Sequence, residues 1–240
     1  MQAASKKLTI DIAGGRNLVR GLSYNLAMVV DKKKHVAEIS RRLRKLYPDV
    51  HAELDYGTPF ELMIASILAA QNTDVNVNKL TPELFRKYRG PADYIAVSPE
   101  ELEKDIYASG FFRQKAKSIR AVSKKLIEHF GGMVPETIEE LLTLPGIGRK
   151  TANVVLGDAL GIAAGIVVDT HNIRLSKLLG LSEQKTADKI ERELMDLVPK
   201  KDWIQFGQWI TWHGRRVCNA KKPKCGECVL SDICPSSLAA

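Results

Sequence analysis

The stretch Leu144–His171 reads LPGIGRKTANVVLGDALGIAAGIVVDTH. Pro145, Gly146 and Gly148 make a tight turn that opens into the helix TANVVLGDAL. Such a turn leaves backbone N–H groups unpaired at a helix N-terminus, an arrangement suited to a phosphate oxygen. Lys150 falls in the first turn of that helix, where the positive end of the dipole disfavours an ammonium and favours a neutral, nucleophilic amine. The apolar run Val167-Val168 then ends in Asp169, Thr170 and His171. A G-x-G turn before a helix is common, and a lysine in a first turn is usually only solvated. Together with a carboxylate delivered by a buried run, they point to amine chemistry on a nucleic-acid sugar.

Outward from this stretch, almost every segment carries helical spacing and almost none carries strand alternation, so the expected class is all-α. Val36, Ile39, Leu43 and Leu46 share one helix face, stopped at Pro48. Thr58-Pro59 opens a helix through Ala70 that is apolar on nearly every side, as in a bundle interior. Gln71-Asn72-Thr73-Asp74 follows, a polar exit that serves as a cap or delivers a side chain into a cleft. Helices are expected from Thr81-Pro82 to Tyr88, Ser98-Pro99 to Ile106, Arg113 to Phe130, and Pro135-Glu136 to about Leu144. Further helices are expected from Asn172 to Leu179, Glu183 to Leu197, and, capped by Asp202, Trp203 to Trp212. Gly110-Phe111-Phe112 interrupts the pattern with adjacent aromatics, which packing explains unless one points outward. All three tryptophans fall in the last helix, and core packing against the neighbouring cysteines accounts for them.

The chain has 240 residues, a net charge of +8 and 45% hydrophobic content. That composition describes a globular protein, and its charge fits a polyanionic partner, although many basic proteins bind none. Only 6% of residues are aromatic, too few for a base-stacking platform of the single-strand type. The longest apolar stretch, Leu62 to Ala70, is far short of a membrane span, and the N-terminus lacks a secretory core. A cytosolic protein is expected. Residues 1–34 read as an extension, with Asp31-Lys32-Lys33-Lys34 a solvated run before the first helix.

The four cysteines lie at Cys218-x6-Cys225-x2-Cys228-x5-Cys234. In a reducing compartment this is a metal site, zinc or iron–sulfur. A single close pair among irregular loops favours the larger object, a four-iron cluster. Lys221, Lys222 and Lys224 sit between the first two cysteines, placed for phosphate contact or to balance a negative thiolate cluster.

The motifs LPGIGRKTA, VDTH and AAQNTDVNVNK and the cysteine spacing, in this order and separation, resemble the endonuclease III branch of the helix-hairpin-helix DNA glycosylases over roughly residues 35–235. The resemblance implies two lobes with DNA between them. One is a six-helix barrel at about 52–162; the other joins 35–51 to 163–240 and holds a [4Fe-4S] cluster on Cys218, Cys225, Cys228 and Cys234. It implies a bifunctional enzyme of base-excision repair, with Lys150 and Asp169 catalytic, acting on double-stranded DNA at oxidised pyrimidines and abasic sites, as a monomer. Gly146 and Gly148 would hold a backbone phosphate, and Gln71, Phe111 and His171 would fill the gap left by a flipped nucleotide. An aromatic at Phe111 replaces the expected aliphatic wedge, and Asn72 replaces a small residue. A mono-functional glycosylase is disfavoured by Lys150. A non-catalytic DNA-binding module is disfavoured by Lys150 and Asp169 together.

Overall fold

The computed structural model describes residues 32–238; within them the chain is helical and has no strand. The elements are α1 (32–46), α2 (Pro59–Ala69), α3 (Asp74–Lys87), α4 (Pro91–Ala96), α5 (Pro99–Asp105), α6 (Phe112–Phe130), α7 (Ile138–Leu142), α8 (Arg149–Val154), α9 (Thr170–Leu178), α10 (Ala187–Leu197) and α11 (Trp203–Arg216). The expected extension up to residue 31 lies outside the described residues. Lys32, Lys33 and Lys34 belong to the first turn of α1 rather than to a loop, since Val36 and Ile39 behind them are buried and extend the helix backwards.

Local chemistry sets most boundaries. Thr58 and Ser98 cap α2 and α5, their hydroxyls accepting from Glu61 N and Glu101 N at 3.1 and 3.2 Å. Three helix starts and one cap differ from expectation. The helix expected to start at Thr81-Pro82 is instead the second half of α3, with Pro82 inside it. Thr73 caps that helix, and Val77, Thr81 and Leu84 bury one face across the proline, which outweighs the lost backbone bond. Helix α7 starts after Thr137, whose hydroxyl caps Glu140 N, and not at Pro135. Helix α10 starts at Ala187 rather than Glu183. Asp202 precedes α11 but makes no cap; its carboxylate accepts from Arg44 Nη2 of α1 at 2.7 Å.

Two separate apolar clusters form. One gathers α2, α3, α6 and the start of α8 around Leu62, Met63, Ile64, Leu68, Ile119 and Leu126. The other gathers α1, α9, α10 and α11 around Ile39, Leu43, Ile190, Leu194, Phe206 and Trp209. Burying each of these side chains contributes about 1.5–3 kcal/mol, offset by chain entropy. Gly207 lets α11 approach the 166–168 run, because a Cβ there would stand 2.9 Å from the Val167 carbonyl oxygen. That close approach fixes where Asp169 emerges. No described helix is long and apolar enough to cross a membrane.

Candidate active site

A cavity of about 300 Å³ lies between the two clusters. Lys150, Asp169 and Gln71 line it, with Ser66 of α2 and Gln208, Thr211 and Trp212 of α11. Lys150 comes from the first turn of α8, and Asp169 is the N-cap of α9. Asp169 Oδ1 accepts from Asn172 N at 2.8 Å and from Asn172 Nδ2 at 3.1 Å. The buried Asn172 amide also reaches Thr211 Oγ1 at 2.9 Å and the Gly207 carbonyl at 3.2 Å. The carboxylate is therefore held from α9 and α11 at once.

The turn before α8 has Pro145 followed by Gly146 at φ 79, with Ile147 N bonded to the Leu144 carbonyl at 3.2 Å. Only glycine takes that backbone without strain. Gly148 faces open space, and no side chain caps α8. Arg149 and Asn153 of α8 donate to the buried Glu191 of α10, at 2.5 Å for Arg149 Nε and 2.8 Å for Asn153 Nδ2. This holds the helix that carries Lys150.

Helix α8 passes into a π turn over Val155–Ala159. In an uninterrupted α-helix each step of four residues drifts by about 40°, so Asp158 would lie about 80° round from Lys150. The wider π turn recovers part of that drift, and Lys150, Thr151, Val154 and Asp158 all line the cavity. Burial pushes Asp158 up to about 6, against the opposing effects of Gln208 and His51. Gln208 Nε2 donates to its two oxygens at 3.1 and 2.9 Å. At the rim, Arg215 pairs with Glu53 and, at 2.7 Å, with Asp74. Ser66 Oγ and Trp212 Nε1 are buried without a partner among the described residues. Trp212 thus serves the cavity as well as the core, with the Arg216 guanidinium 3.8 Å over its ring.

A neighbouring cavity of about 280 Å³ is lined by Gln71, Phe111, Gly146 and Thr151. Gln71 and Phe111 are the two described non-glycine residues with positive φ, 55 and 47. That backbone costs about 1–3 kcal/mol each and concentrates at functional sites. Phe111 is 67% exposed while Phe112 is half-buried. His171 lines neither cavity. It lies half-buried against Gly214, with burial lowering its pKa and Asp169 opposing that.

Cys218, Cys225, Cys228 and Cys234 are half-buried, and none is in a disulfide. All four line a cavity of about 710 Å³, with Arg174, His213, Leu175 and Leu230. Leu230 N donates to Cys228 Sγ at 3.4 Å, and His213 Nε2 lies 3.3 Å from the same sulfur. Arg174 Nη2 donates to the Cys218 carbonyl at 2.7 Å. Among the described residues no three of His, Cys, Asp or Glu converge tightly enough to hold one metal ion. Four thiols around a space of this size fit a multi-iron cluster better than zinc. Lys221, Lys222 and Lys224 are exposed on the loop beside it, away from the Lys150 cavity.

Sequence reasoning singled out Lys150, Asp169 and the cysteines but not Asn172, Asp158, Gln208 or Glu191, and it set Arg215 beside the lysine loop rather than at this cavity. Asp158, Gln208 and Glu191 have partners distant in the chain, Asn172 ties its near neighbour Asp169 to distant Thr211, and none stands in a motif. The Gly165 and Gly207 signals were readable only as glycines. A Cβ at Gly165 would come within 2.2 Å of Glu191 Oε1.

Residues 64–200 match the HhH-GPD superfamily base excision DNA repair protein, and residues 218–234 match the iron–sulfur binding domain of endonuclease III. The chain is 50% identical over 218 residues to endonuclease III of Synechocystis sp., covering 91% of this chain and 100% of that protein. It is 40% identical over 197 residues to endonuclease III of Escherichia coli (strain K12), covering 82% and 93%. Among solved structures, a trapped endonuclease III–DNA covalent intermediate is similar at TM-score 0.81 and 43% identity, covering 85% of this chain and 96% of that one. A thermostable thymine-DNA glycosylase is similar in fold alone, at TM-score 0.77 and 23% identity, covering 86% and 96%.

Proposed function

Because the chain belongs to the endonuclease III family within the HhH-GPD superfamily of base excision DNA repair proteins, we propose that Lys150 and Asp169 carry its reaction on DNA. The protein is a bifunctional DNA glycosylase and abasic-site lyase. The observation behind our assignment is that α8 and the N-cap of α9 bring an amine and a carboxylate to one cavity between two cores. We read those cores as the two lobes, 52–162 and 35–51 with 163–240, and the cavity as part of the DNA cleft.

The damaged nucleotide leaves the stack so that its sugar can be reached. The Lys150 amine attacks C1′ as the base departs with the bonding electrons. Asp169, fixed by Asn172, stabilises positive charge developing on the sugar and helps take up the lysine proton. The C1′–O4′ bond then opens, with a proton going to O4′, to give a Schiff base that acidifies the C2′ hydrogen; loss of that proton expels the 3′ phosphate and nicks the strand. Unpaired N–H groups at the Gly146–Gly148 turn hold a backbone phosphate. Gln71, Phe111 and His171 fill the vacated stack, an assignment supported for Gln71 and Phe111 by their exposure and left-handed backbone. Lys221, Lys222 and Lys224 contact phosphates. Oxidised or ring-saturated pyrimidines and abasic sites are the substrates, handled by a monomer in the cytoplasm beside the nucleoid.

The chain carries a [4Fe-4S] cluster, and we assign its ligands as Cys218, Cys225, Cys228 and Cys234. When bound, the cluster ties four points of the C-terminal segment together, while glycosylase and lyase steps balance without net electron transfer.

Borohydride trapping on duplex DNA with one thymine glycol tests the assignment. A covalent protein–DNA band with the native protein, absent in Lys150→Ala, supports imine chemistry at Lys150. Base removal without a band means mono-functional glycosylase action and overturns it.

A further inference from the structure

Gln71 and Phe111 sit on different turns, one leaving α2 and the other entering α6, yet both turns converge on a single carbonyl. Ser109 O accepts from Lys115 Nζ at 2.7 Å and from Asn72 Nδ2 at 3.1 Å. Lys115 also donates to the Leu68 carbonyl at 2.7 Å, at the end of α2. This lysine is buried at 5% exposure, with backbone carbonyls as its partners, one of them at the negative end of a helix. The Asn72 amide is oriented in turn, because its Oδ1 accepts from Thr73 N at 2.8 Å and Asn76 Nδ2 at 3.3 Å. Gln71 is the chain neighbour of Asn72, and Phe111 lies two residues beyond Ser109, after Gly110 at φ 68. A small residue at position 72 would remove the direct bridge between the turns and leave only the lysine. Both tips hold backbone conformations that relax unless their surroundings over-determine them.

We propose that Asn72 and Lys115 are positioning residues that lock Gln71 and Phe111 into one two-pronged wedge through the Ser109 carbonyl. Entry of either prong into the duplex is then coupled to entry of the other. The inference rests on the reading of Gln71 and Phe111 as the gap-filling residues. A rigid pair opens the stack without first ordering two independent tips, which matters for a stacked duplex and little for an already unstacked site.

The test is a double-variant cycle. Gln71→Ala, Phe111→Ala and their combination are made in the native and Asn72→Ala backgrounds. We measure kcat/KM for excising thymine glycol from duplex DNA, and cleavage of an abasic site in single-stranded DNA. In the native background the double variant should lose much less than the product of the single losses, because either single loss disables the pair. In the Asn72→Ala background the losses should multiply. Asn72→Ala alone should lower the duplex-to-single-strand activity ratio roughly fivefold, the factor of one ordinary hydrogen bond. Asn72→Asp, similar in shape but without the donor, should do the same. A general folding defect would lower both activities and leave the ratio where it was. Multiplying losses in the native background, or an unchanged ratio in both Asn72 variants, would overturn the proposal. Native protein that excises but is indifferent to both single variants would overturn the wedge reading and this inference with it. Native protein that excises nothing would count against the activity itself.

Discussion

Asp158→Asn should stabilise the protein at neutral pH and hardly at all in acid. Burial raises the Asp158 carboxyl from 3.8 to about 6, a shift of roughly 2 units at about 1.4 kcal/mol each, or about 3 kcal/mol. The folded-state value lies above the unfolded one, so below pH 3.8 the group is neutral in both states and costs nothing. As pH rises, the unfolded chain ionises first; folded-state stability falls until about pH 6 and then stays low. Asparagine cannot ionise, and its amide oxygen still accepts from Gln208 Nε2. The variant should therefore exceed the native protein by about 0.5 kcal/mol at pH 4 and about 3 kcal/mol at pH 8. For a chain of this size that is a difference in Tm of roughly 6–12 °C at pH 8. Burial lowers His213 to about 4 and so pulls stability the other way, but that effect is common to both proteins and cancels in the difference. Thermal melts of both at half-unit pH steps read the gap directly. Parallel curves at every pH, or a native protein that gains on the variant as pH rises, would refute the account of Asp158 as a buried, costly carboxylate.

Replacing Lys221, Lys222 and Lys224 by glutamine should weaken DNA binding and flatten the log–log salt slope by up to about 2.7, which fluorescence anisotropy across salt concentrations resolves; an unchanged slope assigns them to charge balance. Glu191→Ala leaves Arg149 unpaired beside a closed core and should cost about 3 kcal/mol in denaturant unfolding, and a loss under 1 kcal/mol would show that the pair only decorates α8. Phe206→Ala, at a fully buried site on α11 within the α1, α9, α10 and α11 cluster, should cost about 3–5 kcal/mol. Purified protein should be brown and contain four irons per chain, and colourless protein with stoichiometric zinc would overturn the cluster.

What the sequence by itself determined was local. Apolar residues at helical spacing, Thr58 and Ser98 before prolines, and the Pro145–Gly148 turn all act within one or two turns of chain, where side-chain chemistry alone selects the backbone. The cysteine spacing was legible for the same reason, since the four thiols lie close in sequence. Pro82 shows the limit: its local signal opens a helix, but burial of Val77, Thr81 and Leu84 carries α3 through it. Only the tertiary structure decided what surrounds Lys150 and Asp169. Asp158 reaches the cavity through a π turn, Asn172 steadies Asp169 because Gly207 admits α11, and Asn72 meets Ser109 across two turns. Each of these depends on residues far apart in the chain, whose encounter is set by how two apolar cores pack and not by any local preference.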